Sequence, residues 1–205
     1  MKNIIFYVGY EDELSLALIQ KIFSQLNHDY LIGAKFPGKG AGYLKKNIKS
    51  FNELAKGIPF LLLTDLDNDE CAPTKIRDWI KVPLNPNFLF RIAVRESESW
   101  VLADRESFSK FLKISINKIP YNTDAIDDPK RFLIKLVNSS SKNNLKHDIV
   151  PAKKSTACIG KNYNEPLVCF VHGEWDLYKA AEHSESLKRM IGRLQSFIPH
   201  LDSWK

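Results

Sequence analysis

Two carboxylates, Asp65 and Asp67, close the apolar run Ile58-Pro59-Phe60-Leu61-Leu62-Leu63-Thr64. A run this short and this rich in Leu and Phe reads as a strand buried on both faces. Asp-Leu-Asp then emerges at the carboxyl end of that strand, the edge at which open α/β sheets take their ligands. Like charges a few ångströms apart repel unless a cation lies between them, and hard oxygen donors suit Mg²⁺ or Mn²⁺. The chemistry expected of this pair is metal-dependent work on phosphate.

Two further acidic groups follow apolar runs: Glu11-Asp12-Glu13 after the first, and Glu96 with Glu98 after Phe88–Val94. If the three strands are parallel, four or five carboxylates collect on one edge. That number serves one or two divalent ions, the second clamping the leaving oxygen of an in-line phosphoryl displacement. A plainer reading has residues 11–13 and Glu96/Glu98 capping the helices they precede, where the helix dipole favours negative charge; both readings stay open. An EF-hand loop is excluded, because its sixth and twelfth positions hold Glu70 and Ile76 instead of Gly and Glu. In haloacid-dehalogenase phosphatases the Asp-x-Asp ends the first strand, whereas here it ends the third.

Alternating elements must position these acids. Residues 3–8 read as a buried strand, followed by a helix with Leu14, Leu18, Ile22 and Leu26 on one face. A strand near Tyr30–Ala34, a helix near 43–55, the strand at 58–64, a short helix at Lys75–Ile80 and a strand at Phe88–Val94 complete a β-α-β-α-β-α-β order. That order specifies an α/β fold with a mostly parallel sheet flanked by helices. Beyond Asp104 the pattern turns helical, with helices expected at 106–113, 129–139 and 174–182. A last helix carries Leu187, Met190, Ile191, Leu194 and Ile198, capped by Ser184 or Ser186. The expected division is a core over 1–104 and a mainly helical C-terminal extension over 105–205, packed on that core.

With 44% hydrophobic residues in 205, the chain is long enough for a sizeable core and has the composition of a globular protein. No apolar stretch reaches membrane-spanning length and the N-terminal apolar segment is too short for a signal peptide, so a cytoplasmic, non-membrane protein is expected. Cys71, Cys158 and Cys169 lack metal-ligand spacing and are expected to be reduced thiols. A net charge of +6 leans towards a polyanionic partner such as nucleic acid. Self-association is left open.

The acidic turn after the first strand, with Thr64-Asp65-Leu66-Asp67 two units later, resembles the TOPRIM fold of topoisomerases, primases and overcoming-lysogenization-defect nucleases. The stretches Glu11-Asp12-Glu13-Leu14-Ser15 and Arg91–Asp104, together with Asp128-Pro129-Lys130 and Ser186-Leu187-Lys188-Arg189, are similar to a bacterial TOPRIM-like family. Members of that family are often encoded beside ABC- or AAA-type ATPases in defence loci. The resemblance implies a TOPRIM/Rossmann-like core and Mg²⁺- or Mn²⁺-dependent cleavage of DNA or RNA, in an anti-phage or toxin-like module with an ATPase partner. By the same resemblance Glu11, Asp65 and Asp67 would hold metal. Glu98 would complete the shell of a second ion, or Glu96 or Glu98 would act as base. The usual Val-Glu-Gly is replaced by Val8-Gly9-Tyr10-Glu11, so Glu11, Asp12 or Glu13 must supply the first carboxylate. That departure keeps a second expectation in view, a catalytically decayed adaptor that binds and regulates an ATPase.

Phosphate cleavage also calls for donors to a developing oxyanion. Gly38-Lys39-Gly40-Ala41-Gly42 precedes a helix whose backbone N–H groups can receive phosphate, although it lacks the P-loop spacing. Arg91 and Arg95 bracket a strand end, and Lys153, Lys154 and Lys161 lie in a loop-like segment able to face nucleic acid. In the resembling nucleases a lysine outside the core assists cleavage, and Lys161 is the expected analogue. Arg189 and Arg193 read as solvated, the five histidines carry no metal spacing, and Trp79, Trp100, Trp175 and Trp204 read as packing residues.

Overall fold

The computed structural model describes residues 3–26, 29–38, 40–153 and 155–200. Lys39 and Lys154, expected near phosphate, and His28 and Trp204 lie outside the described residues. The chain divides into two compact units, residues 1–93 with 189–205 and residues 94–188. The division falls at Val94, earlier than Asp104, and the last helix returns to the first unit at Arg189.

The first unit is α/β. Strands β1 (Ile4–Tyr10), β2 (Tyr30–Pro37), β3 (Phe60–Asp65) and β4 (Phe88–Ala93) form a sheet in the order β2-β1-β3-β4, and every neighbouring pair is parallel. Parallel neighbours need crossovers, supplied by α1 (Glu13–Gln25), α2 (Ala41–Leu54) and α3 (Ala72–Trp79). All six residues of β3 are buried, as an uninterrupted apolar run between two neighbouring strands requires. Gly9 lies opposite Leu62, and a methyl group there would approach Leu62 Cδ1 to 2.8 Å and oblige that buried side chain to shift. One aromatic cluster gathers round Phe6, whose ring lies 5.4 Å from those of Phe23 and Tyr30 and 5.1 Å from Phe197. A second stacks Phe51 on Phe60 at 4.7 Å. Offset and tilted pairs of this kind add to the free energy of the area they bury.

The second unit contains the helices α4 (Ser97–Ala103), α5 (Arg105–Leu112), α6 (Pro129–Asn138), α7 (Asn143–Ile149), α8 (Asn164–Gly173) and α9 (Leu177–Ala181), and the start of α10 (Glu185–Gln195). Trp100 and Trp175 are its largest fully buried side chains. Their polar edges are satisfied, since Trp175 Nε1 donates to the Trp100 carbonyl at 2.9 Å and Trp100 Nε1 donates to Ser186 Oγ at 2.7 Å. Asp104, fully buried, accepts from the Ser107 and Asp176 amides and so ties the start of α5 to the turn before α9. The segment 174–182 is shorter as a helix than expected because Asp176 caps it, accepting from the amides of Tyr178 and Lys179. Helices α7 and α8 fall where no helix was expected. Among the described residues no helix is long and apolar enough to cross a membrane.

Candidate functional site

Each acid of residues 11–13 has a different task. Asp12 caps α1, accepting from the Ser15 amide and hydroxyl at 2.9 Å each. Glu13 is exposed in the first helical turn. Glu11 turns to the sheet edge instead. Its Oε1 accepts a short hydrogen bond from the Thr64 hydroxyl and another, at 3.0 Å, from the Asp65 amide. The ends of β1 and β3 are therefore laced together by the acid that follows β1. Burial raises the Glu11 carboxyl above its ordinary pKa of 4.5; the bonds from Thr64 and Asp65 and the charge on Lys75 oppose that rise, while Asp67 adds to it.

Asp65 is 9% exposed as the last residue of β3, opposite Ala93 in the register with β4. The next residue, Leu66, donates its amide to the Ala93 carbonyl at 2.8 Å, and Asp67 then turns with a left-handed φ of 53°. This conformation is uncommon for non-glycine residues, although Asp is among those that tolerate it best.

The lysine that touches this edge is Lys75, which the sequence shows only as part of a short helix. Its side chain is 2% exposed, and its ammonium lies 3.2 Å from Asp67 and 3.0 Å from Asp69. It also donates to the Leu66 carbonyl at 3.3 Å and sits 5.3 Å from the centre of the Trp79 ring. Helix α3 thus returns a buried cation to the acidic loop that precedes it. For a divalent ion the donor chemistry fits, because Glu11, Asp65 and Asp67 offer hard oxygens. The geometry is not pre-gathered: among the described residues no three Asp, Glu, His or Cys side chains are grouped to hold a metal. An ion bound through Asp67 would compete with Lys75 for its charge.

Glu96 and Glu98 belong to the second unit, where they form a separate constellation. Glu98, in the first turn of α4, is 1% exposed; its Oε1 accepts from the Tyr163 hydroxyl at 2.9 Å and lies 3.5 Å from Lys130 Nζ. Glu96 accepts from the Lys130 amide at 2.8 Å and lies 3.7 Å from its ammonium. The Asp128-Pro129-Lys130 stretch gains a physical account here. Asp128 caps α6 by accepting from the Arg131 amide, Pro129 takes the first helical turn where no N–H is needed, and Lys130 presents both its donors to the two glutamates. A pocket of about 600 Å³ adjoins them, with Glu96, Asp128, Lys130, Arg131 and Cys158 on its wall. Lys161 is exposed in the turn before α8. Tyr163, two residues on, was not singled out by the sequence; a tyrosine at the start of a helix carries no signal of a buried carboxylate partner.

No protein family, no curated protein and no solved structure matches the chain.

Proposed function

We propose that the chain is a Mg²⁺- or Mn²⁺-dependent phosphodiesterase of the TOPRIM type, cleaving DNA or RNA at the carboxyl edge of its parallel sheet. The observation that carries this reading is the reach of Glu11 from the end of β1 onto Thr64 and Asp65 at the end of β3. The Glu11 carboxylate thus meets the backbone of a residue 54 positions away, itself an acid, at the edge where such sheets bind ligands. A bound ion would polarise a phosphoryl oxygen and help ionise a water. Glu11, Asp65 and Asp67 would hold such an ion at the strand ends. Glu11, whose proton affinity is raised by burial, can take a proton from the attacking water. Lys75, whose ammonium lies 3.2 Å from Asp67, would supply a donor for a phosphate oxygen beside such an ion. Glu96, Glu98 and Lys161 are not needed for this reading, which rests on the first unit alone. An ATPase partner and a defence setting are supported by the sequence resemblance only.

The test is cleavage of supercoiled plasmid and of RNA by the purified chain with Mn²⁺ or Mg²⁺, alone and with an ATPase encoded beside it. Cleavage that Asp65→Ala abolishes is expected, and no cleavage under any of these conditions removes the reading. The pairing of Lys75 with Asp67 and Asp69 favours a second reading, a TOPRIM-shaped adaptor that has replaced its ion with a lysine and regulates an ATPase. Calorimetric titration separates the two, because an adaptor shows no divalent-ion binding that Asp65→Ala removes.

A further inference from the structure

The first unit holds a second feature of opposite sign. Arg91 lies in β4, and its Nε is screened from solvent with no hydrogen-bond partner among the described residues. Buried N–H groups are almost always satisfied, so one left over points to something that completes it. What faces Arg91 is not an acid. Arg193 and Arg189 of α10 approach it, and burial together with these two like charges holds its pKa below the usual arginine value. Among the described residues no Asp or Glu pairs with Arg91 or Arg193, and Arg193 rests over the Phe197 ring at 5.8 Å.

Arg91 and Arg193 line a pocket of about 290 Å³ together with Asn85, Pro86, Phe88 and Leu84. Within β4, Phe90 faces Trp79 of α3, whereas the next residue, Arg91, faces α10, so the pocket draws on both faces of the last strand of the sheet. Arg91 and Arg193, neither paired with a carboxylate among the described residues and the first with an unused buried donor, are matched by an anion that offers several oxygens and more than one negative charge, as a phosphate does. The apolar remainder of the wall leaves room for more than a bare ion.

We propose that this pocket is an oxyanion site of the phosphate class, in which Arg91 and Arg193 hold a phosphate group and the Leu84, Pro86 and Phe88 wall receives the body attached to it. The site stands independently of the metal reading and is tested without divalent ions. The full chain in chelator is titrated with inorganic phosphate, thymidine 5′-monophosphate and a short oligothymidylate, with acetate as the carboxylate control, at matched ionic strength. These arms separate a free phosphate, a monoester and a nucleic-acid backbone as the source of the anion. Saturable binding of at least one phosphate is expected, with a shift of the Arg91 Nε–H resonance in ¹⁵N NMR. Arg91→Gln and Arg193→Gln should each weaken it about tenfold. Arg193 is exposed, so its variant keeps the test meaningful if Arg91→Gln fails to fold. No saturable phosphate binding, acetate binding equally well, or both variants binding like the wild type would overturn the proposal.

Discussion

Replacing Lys75 by Met removes the ammonium while keeping an unbranched stem to pack against Trp79. Breaking a fully buried ion pair costs about 3–5 kcal/mol, because the orphaned charge stays out of water. Here the carboxylates that lose the ammonium are Asp67 and Asp69, whose side chains are 44% and 42% exposed, so solvent takes up much of their charge. What is lost is one charged hydrogen bond to the Leu66 carbonyl, a cation–π contact and the screening of two neighbouring carboxylates, about 2 kcal/mol together. For 205 residues that lowers the apparent Tm by about 4–8 °C in metal-free buffer. The same change frees Asp67 to bind a cation. An ion at about a hundred times its Kd returns roughly 2.7 kcal/mol, enough to offset the loss. Thermal unfolding of both proteins in chelator and in a Mn²⁺ series measures this directly. If Mn²⁺ raises the Tm of K75M by no more than it raises that of the wild type, Lys75 is not standing in a cation's place and the reasoning from its pairing with Asp67 is refuted.

Glu11→Gln keeps an oxygen for Thr64 and Asp65 but cannot ionise. Because the folded state raises the Glu11 carboxyl above 4.5, it binds that proton more tightly than the unfolded chain does. Ionisation of Glu11 therefore destabilises, and wild-type stability falls as pH rises from the unfolded value through the folded one. The stability of E11Q relative to wild type should accordingly grow as the pH rises above the ordinary carboxyl value of 4.5 in urea titrations; a difference that stays flat with pH refutes the burial argument. Tyr163→Phe removes the hydroxyl donated to buried Glu98 and should cost about 1.5–3 kcal/mol by chemical denaturation. A loss below about 0.5 kcal/mol, the scatter of ordinary surface changes, would show that Glu98 is satisfied without the tyrosine. Gly160→Ala would place a methyl 2.2 Å from the Asp148 carbonyl oxygen, a backbone atom that cannot swing aside. A destabilisation of about 2 kcal/mol or more is expected, and wild-type stability would contradict the packing at that turn.

The parallel sheet was readable because β-branched and aromatic runs alternate with helical periodicity over residues 4–93, and the structure is an α/β fold with helices beyond Asp104. The division of labour among Glu11, Asp12 and Glu13 was not readable. Three consecutive acids before a helix all look like caps, and only the φ and ψ of the helix entry decide that Asp12 caps and Glu11 faces β3. Helix α8 escaped notice because Pro166, Val168 and Val171 lower its intrinsic propensity, although Leu167, Phe170 and Val171 hold the helical spacing of its buried face. Lys75 was hidden for a related reason. Lysine on a helix is normally solvated, and its burial follows from Trp79 one turn later and an acidic loop eight residues earlier, a tertiary coincidence that no local pattern encodes.

The two units treat acidic clusters alike. In the first, Lys75 in the opening turns of α3 meets Asp67 and Asp69; in the second, Lys130 at the start of α6 meets Glu96 and Glu98. In both cases a helix supplies the lysine from its N-terminal half, where its own dipole disfavours a cation, so the pairing has to be worth more than the dipole term of about 0.3–1 kcal/mol. A lysine is a weakly oriented point charge on a flexible stem and can yield its place to an ion or a substrate. Arg91 is the reverse case, a rigid fork held in a strand beside other arginines, with a buried donor unused. Displaceable cations thus accompany the acids, and a fixed cation waits without one. Arg91 of β4 and Arg193 of α10, neither paired with a carboxylate among the described residues, meet at one pocket, the placement by which an anionic ligand would be gripped.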